Sequence, residues 1–348
     1  MRSLFDSRPA TSDRTGIGRN AQTLAVVACG ALGDHEVLDG REVLDFGSTW
    51  EEELALPAVI ERERVDLFHS PLFHLPAVLP CRSLVTIHDA IPATHPALTT
   101  DSFSALWQGV GEAAARADAV VCPTAAAKRD VVAALGLDEQ KVHVVPETPH
   151  AVFGSVEPTE QRAVRQRHGL GDQRYLLVLG AVERRKNPTL VLDALQSRPD
   201  LPPVVFVGPA GAVDLAAEAR ARGVEDRVRH LGVLPDPDVV ALLAGAEALV
   251  FPTLAEGFGL PVVEAFATGT PVVASAVPAV VEVADDAAAF VAPDDPAALA
   301  EAVGRVLSDA AFADDLRARG RARLKHFSPA AVREGLIRVY DALARGAP

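Results

Sequence analysis

The chain has 348 residues, 49% of them apolar and only 5% aromatic, with a formal net charge of −14. The length suits about two domains, their cores packed mainly by Leu, Val and Ala. The acid surplus argues against a nucleic-acid partner, which needs clustered Lys and Arg, and against simple electrostatic docking on anionic lipid.

At the start of the chain Arg2, Asp6 and Arg8 interrupt the apolar pattern, so no signal peptide is expected. The longest apolar runs hold under about 10 residues, too short to cross a bilayer. The chain therefore reads as cytoplasmic, with at most transient membrane contact. Cys29, Cys81 and Cys122 are widely spaced, with no Cys-x-x-Cys pair and no Cys/His cluster of zinc spacing. They read as buried free thiols, and no metal site is expected.

Short apolar runs rich in β-branched residues predict strands over 3–6, 43–46, 66–69, 84–88, 119–122, 142–146, 175–180, 204–208, 228–232, 248–252, 271–275 and 289–292. Helical patterns lie between most of them. Continuously apolar strands imply parallel sheets buried on both faces, and the alternation implies a doubly wound α/β chain. The pattern breaks over 147–160, where Pro149, Gly154 and Pro158 occur without periodicity. About six strands precede the break and about six follow. Two Rossmann-like units facing a central cleft are expected, residues 1–152 and 153–328. The helical stretch 329–346 can pack back on the first. Ligands of open parallel sheets bind beyond the carboxyl ends of the strands, so the informative residues should lie just after them.

The strand at 248–252 runs into Glu256-Gly-Phe-Gly-Leu-Pro-Val-Val-Glu264. Gly257 and Gly259 let backbone approach a ligand closely. Pro261 suits the first turn of a helix, whose unpaired N–H groups attract phosphate or hydroxyl oxygens. Glu256 before that helix and Glu264 about one turn inside it can accept hydrogen bonds from vicinal hydroxyls; the plainer reading has them complement the helix dipole. The strand at 175–180 exits toward Arg185-Lys186-Asn187, two cations that can stabilise charge growing on a diphosphate leaving group; the plainer reading is a solvated basic turn. In the first half, Asp13-Arg-Thr-Gly16-Ile-Gly18-Arg-Asn20 is a short glycine loop that stops short of a full dinucleotide fingerprint. His88, next to Asp89, ends the strand at 84–88. It can be oriented by that acid and can bond a sugar hydroxyl. His69 and His74 flank another strand exit, with no role beyond lining an acceptor side.

Taken together these residues resemble the retaining glycosyltransferase family 4, of the two-Rossmann GT-B architecture. Residues 256–264 match its E-G-F-G-L-P-x-x-E signature and Arg185-Lys186-Asn187 its R-K-N. Gly16-Ile-Gly-Arg19 and His88-Asp89 match a mannosyltransferase-like subgroup. The resemblance implies a nucleotide-sugar donor, GDP- or UDP-linked, no other cofactor, and a glycan, glycolipid or small-molecule acceptor. Glu256 would bond the transferred sugar and Glu264 the ribose. Main-chain groups of Phe258, Gly259 and Leu260 would meet sugar or phosphate. Arg185 and Lys186, with Gly16 and Gly18, would hold the diphosphate. Gly232, Val233 and Leu234 would touch the base, and His88 would sit near the reacting centre. Four places depart from the pattern: Gly180-Ala181 where many members have Gly-Arg, Asn20 in place of Tyr, Thr124 in place of Ser, and Pro146-Glu-Thr-Pro-His150 in the linker.

Other readings of the same residues are a sugar-nucleotide 2-epimerase or another enzyme of this architecture, and a non-catalytic nucleotide-sugar-binding protein. A phosphorylase would need a pyridoxal-phosphate lysine, and the chain holds only Lys128, Lys141, Lys186 and Lys325. An NAD-dependent oxidoreductase would want the fuller glycine fingerprint.

Overall fold

The computed structural model describes the backbone of residues 1–11, 16–44, 49–72, 74–99, 104, 107 and 109–346. It divides into two compact units, one formed by Met1–Thr148 with Phe327–Pro348 and the other by Pro149–His326. Among the described residues no helix is long and apolar enough to cross a membrane.

In the first unit the strands are β1 (Arg2–Phe5), β2 (Gly30–Leu32), β3 (His35–Asp39), β4 (Leu67–Ser70), β5 (Arg82–Thr86), β6 (Ala119–Cys122) and β7 (Val142–Val144). They join in the order β2-β3-β1-β4-β5-β6-β7. The period of two in side-chain direction sends Leu4, Phe68, Val85 and Val120 into one core. It sends Phe5, Leu67, Leu84 and Ala119 into another, on the opposite face. A sheet buried on both faces calls for apolar residues on both sides of its strands, and these pairs of neighbours supply them. The helix Pro329–Ala344 closes the second face with Val332, Leu336, Val339, Tyr340 and Leu343. Its Tyr340 hydroxyl lies 2.9 Å from His69 Nδ1, and Arg333 donates to the Ala31 carbonyl.

The second unit has β8 (Leu176–Leu179), β9 (Val204–Val207), β10 (Val228–His230), β11 (Leu249–Phe251), β12 (Val272–Ser275) and β13 (Ala288–Val291), ordered β10-β9-β8-β11-β12-β13 and parallel throughout. Leu176, Val178, Val204, Phe206, Val250 and Val273 share one core with the helices Pro188–Ser197 and Pro296–Ser308. Helix ends follow local chemistry. Asp295 caps Pro296–Ser308 by accepting from Ala298 N–H at 2.8 Å. Thr124 caps Ala125–Leu135, which ends on left-handed Gly136.

Two expectations are corrected. No strand covers 43–46: Val43 closes a short helix, Gly40–Val43, and Asp45 and Phe46 lie outside the described residues. The strand sits earlier, at β3, which pairs antiparallel with β2 across Gly33-Asp34. A two-residue turn of this kind needs positive φ, and Gly33 has φ 62°. The first sheet is therefore not wholly parallel. Of the thiols, Cys122 is buried but Cys29 and Cys81 are only half-buried; burial pushes all three up to about 12.

Candidate functional site

The carboxyl ends of β8 and β11 bring the predicted acid and cations of the second unit together. After β8 the chain makes a single 3₁₀ turn, Arg184–Lys186, closed by Asn187 in the left-handed region at φ 52°. Asn187 keeps that conformation by donating its amide to the Pro293 carbonyl at 2.8 Å. After β11 the segment 253–256 lies against this turn: Leu254 N–H donates to the Arg185 carbonyl at 2.8 Å, and Arg185 Nη1 to the Ala255 carbonyl at 2.9 Å.

Glu256 is the centre of the cluster. Its Oε1 lies 2.7 Å from Arg185 Nη1, 2.5 Å from Lys186 Nζ and 3.0 Å from the Thr253 hydroxyl. The Glu256 side chain is 10% exposed and that of Lys186 15%. Burial alone would raise the acid, yet the charges of Arg185 and Lys186 outweigh it and hold Glu256 at about 2. Lys186 is lowered as well, because burial disfavours its charged form, with Glu256 opposing and Arg185 assisting. Its ammonium also sits 5.0 Å from the centroid of the Phe251 ring. The structure thus shows a largely shielded carboxylate holding two cations.

Beyond Glu256, Gly259 adopts φ 108° and precedes the helix Leu260–Thr268, which begins one residue ahead of Pro261 and ends on left-handed Gly269. Phe258 is buried, as is Glu264 on the second turn of that helix. After β10, Gly232 turns at φ 70° and leaves Val233 exposed and Leu234 half-buried. The Gly232 carbonyl accepts from Gly208 N–H at 2.9 Å. A cavity of about 550 Å³ opens beside β10, lined by Val182, Gly211, Asp214, Val228 and His230 among others. It holds none of the predicted site residues, so chemistry rather than volume marks the site.

In the first unit Gly16 opens the helix Gly16–Ala28 and Gly18 lies in its first turn. Asp13, Arg14 and Thr15 of the predicted loop lie outside the described residues, as do the side chains of Arg19 and Asn20. His88 follows β5, half-buried, and the carboxylate bonded to its ring comes from far along the chain. Asp89 Oδ1 accepts from Ile91 N–H at 2.9 Å, while Glu147, just past β7, meets His88 Nδ1 at 2.9 Å. His69 is a correction. It is fully buried between Tyr340 and Thr86, lowered to about 3 by burial, and lines no surface.

Sequence reasoning missed Thr253 and Glu147. Both are polar residues just beyond a strand, the rule that found the others. Thr253 is an uncharged neighbour of Glu256, and Glu147 falls in the aperiodic stretch 147–160.

Two family models match the chain: glycosyl transferases group 1 over residues 160–323 and Glycosyltransferase Family 4 over residues 36–147. The chain is 30% identical over 272 residues to O-antigen chain mannosyltransferase B of Escherichia coli, covering 75% of this chain and 70% of that enzyme. It is 31% identical over 254 residues to D-inositol 3-phosphate glycosyltransferase of Xylanimonas cellulosilytica, covering 69% and 60%. The fold matches that of Anabaena HepE, solved in complex with UDP and glucose, at a TM-score of 0.74 and 18% identity over 98% of this chain and 100% of that one. With two sheets of this topology and relatives of this similarity, the chain belongs to glycosyltransferase family 4 and is a glycosyltransferase of the GT-B fold.

Proposed function

We propose that this glycosyltransferase moves a hexose from a nucleoside-diphosphate sugar, GDP-mannose or a UDP-sugar, to a hydroxyl of a glycan, glycolipid or small-molecule acceptor, with retention of configuration. The observation that carries the reading is the Arg185–Lys186–Glu256 cluster at the exits of β8 and β11. Two relatives named as a mannosyltransferase and an inositol-phosphate glycosyltransferase, and a fold neighbour bound to UDP and glucose, support a nucleotide-sugar donor.

In this reading the second unit binds the donor and the first the acceptor. As the glycosidic bond breaks, negative charge grows on the departing diphosphate. Arg185 and Lys186 supply fixed positive charge there, in a site shielded from water where such charge counts most. Glu256 holds both cations in place beforehand and accepts a hydrogen bond from a sugar hydroxyl. Glu264 takes the ribose, and N–H groups of Phe258, Gly259 and Leu260 meet sugar or phosphate. Gly16 and Gly18 contribute at the diphosphate, Gly232, Val233 and Leu234 at the base, and His88 at the reacting centre. The departing diphosphate accepts the acceptor's proton.

Calorimetry with UDP and with GDP tests the cluster. Charge-assisted bonds are worth about 1.5–3 kcal/mol each, so the double variant Arg185→Ala/Lys186→Ala should bind the better of the two at least about tenfold more weakly. Unchanged affinity in the folded variant would contradict the assignment.

A further inference from the structure

We propose that Glu147 is a positioning residue for His88: it fixes the orientation of the imidazole and holds a hydrogen on each ring nitrogen, so that the first unit presents a shielded cation beyond its central strands. The proposal rests on the reading of His88 as part of the site. Its own evidence is geometric.

His88 Nε2 lies 3.3 Å from the carbonyl of Pro71, just past β4. A carbonyl only accepts, so this nitrogen carries a hydrogen. His88 Nδ1 lies 2.9 Å from Glu147 Oε1. An ionised carboxylate also only accepts, so Nδ1 carries one too. A neutral ring with its lone pair aimed at a carboxylate would place two acceptors in contact. The ring and the carboxylate are both shielded, at 12% and 8% exposure, which strengthens their attraction relative to water. Among the described residues, the charged groups facing the ring include Glu147 from the exit of β7 and Asp89 from its own loop. Burial disfavours the imidazolium, but the bond and charge of Glu147, then the charge of Asp89, reverse that and raise His88 above the ordinary histidine value. Asp89 Oδ1 receives the Ile91 N–H, and the carboxylate bonded to the ring at 2.9 Å is that of Glu147.

The two bonds differ in strength. The Glu147 contact is short and charge-assisted; the Pro71 contact is near the long limit. Nδ1–H is therefore the anchor and Nε2–H the proton that can turn toward a ligand oxygen. In the reading of His88 proposed above, a fixed cation favours negative charge that grows in the transition state more than it favours the ground state, so it acts on kcat more than on KM.

The test uses the full chain with ¹³C-labelled imidazoles. The chain has ten histidines, and His88→Gln assigns the signal. The wild-type ring should titrate above about 6.5. Glu147→Gln keeps a side chain of the same shape without the charge, and should lower that titration by at least about one pH unit. Glu147→Asp should retain part of the elevation. Nucleoside-diphosphate release from the best-used sugar nucleotide should lose its alkaline limb at correspondingly lower pH in Glu147→Gln, with kcat falling more than KM rises. A wild-type ring that titrates at or below the ordinary value, or a titration unchanged by Glu147→Gln, overturns the proposal. So does a shifted ring with an unshifted rate profile. The titration needs no donor, so a protein inactive on every sugar nucleotide would count against the transferase reading alone.

Discussion

Glu256 gathers Arg185, Lys186 and Thr253 on one carboxylate oxygen, and this convergence has consequences for both stability and turnover. Removing the carboxylate leaves two shielded cations without their counter-charge, a loss of about 3–5 kcal/mol for a buried pair. Glu256→Gln should therefore destabilise the second unit at neutral pH, read by denaturant unfolding. The sign with pH follows from the depressed acid. Its contribution is fully present above the ordinary value of 4.5 and is lost as pH falls through about 2. Wild type and variant should thus differ in unfolding temperature at pH 6 and converge near pH 2; a difference that persists into acid would contradict the ion pair. Glu256→Ala should in addition lower turnover by about 10²-fold or more, the scale of one lost transition-state contact. Near-normal turnover would remove Glu256 from the mechanism.

The strand exits do the positioning, and their glycines are the sensitive points. Gly180 and Gly208 follow β8 and β9 with φ 131° and 142°, and a Cβ on Gly208 would collide with the Gly180 carbonyl. Gly208→Ala combines a strained conformation with overpacking against backbone, and should cost about 2–5 kcal/mol. An unfolding midpoint equal to wild type would mean the two exits are not in contact. Elements of this kind were legible in the sequence where apolar run, glycine and polar exit came in succession, as at Val204–Val207 with Gly208 or Leu249–Phe251 with Glu256. The sequence failed where that pattern was diluted. β3 carries His35, Glu36 and Asp39 among its five residues because it pairs with the edge strand β2; its signal was the Gly33-Asp34 turn, not hydropathy. The pairing of His88 with Glu147 spans 59 positions, and no local spacing reports it. His69 was expected to line an acceptor side because strand-exit position alone does not reveal a helix, Pro329–Ala344, lying across that face.

At the level of the whole molecule, the chain leaves the first unit at Thr148 and returns to it at Phe327. The returning helix buries Val332, Leu336, Val339, Tyr340 and Leu343, each worth about 1.5–3 kcal/mol, a sum comparable to the 5–15 kcal/mol net stability of a typical domain (about that range). A chain ending at residue 326 should keep residues 149–326 resistant to trypsin while residues 1–148 are digested; equal resistance of both would show that the helix is dispensable. The cluster at β8 and β11 is proposed to handle a nucleoside-diphosphate sugar. The direct measurement is nucleoside-diphosphate release by the purified protein from a panel of UDP- and GDP-sugars, with and without acceptor. At least one donor should be turned over, and should raise the unfolding temperature of the wild type but not of the Arg185→Ala/Lys186→Ala variant. Neither turnover nor thermal stabilisation across the panel would contradict it.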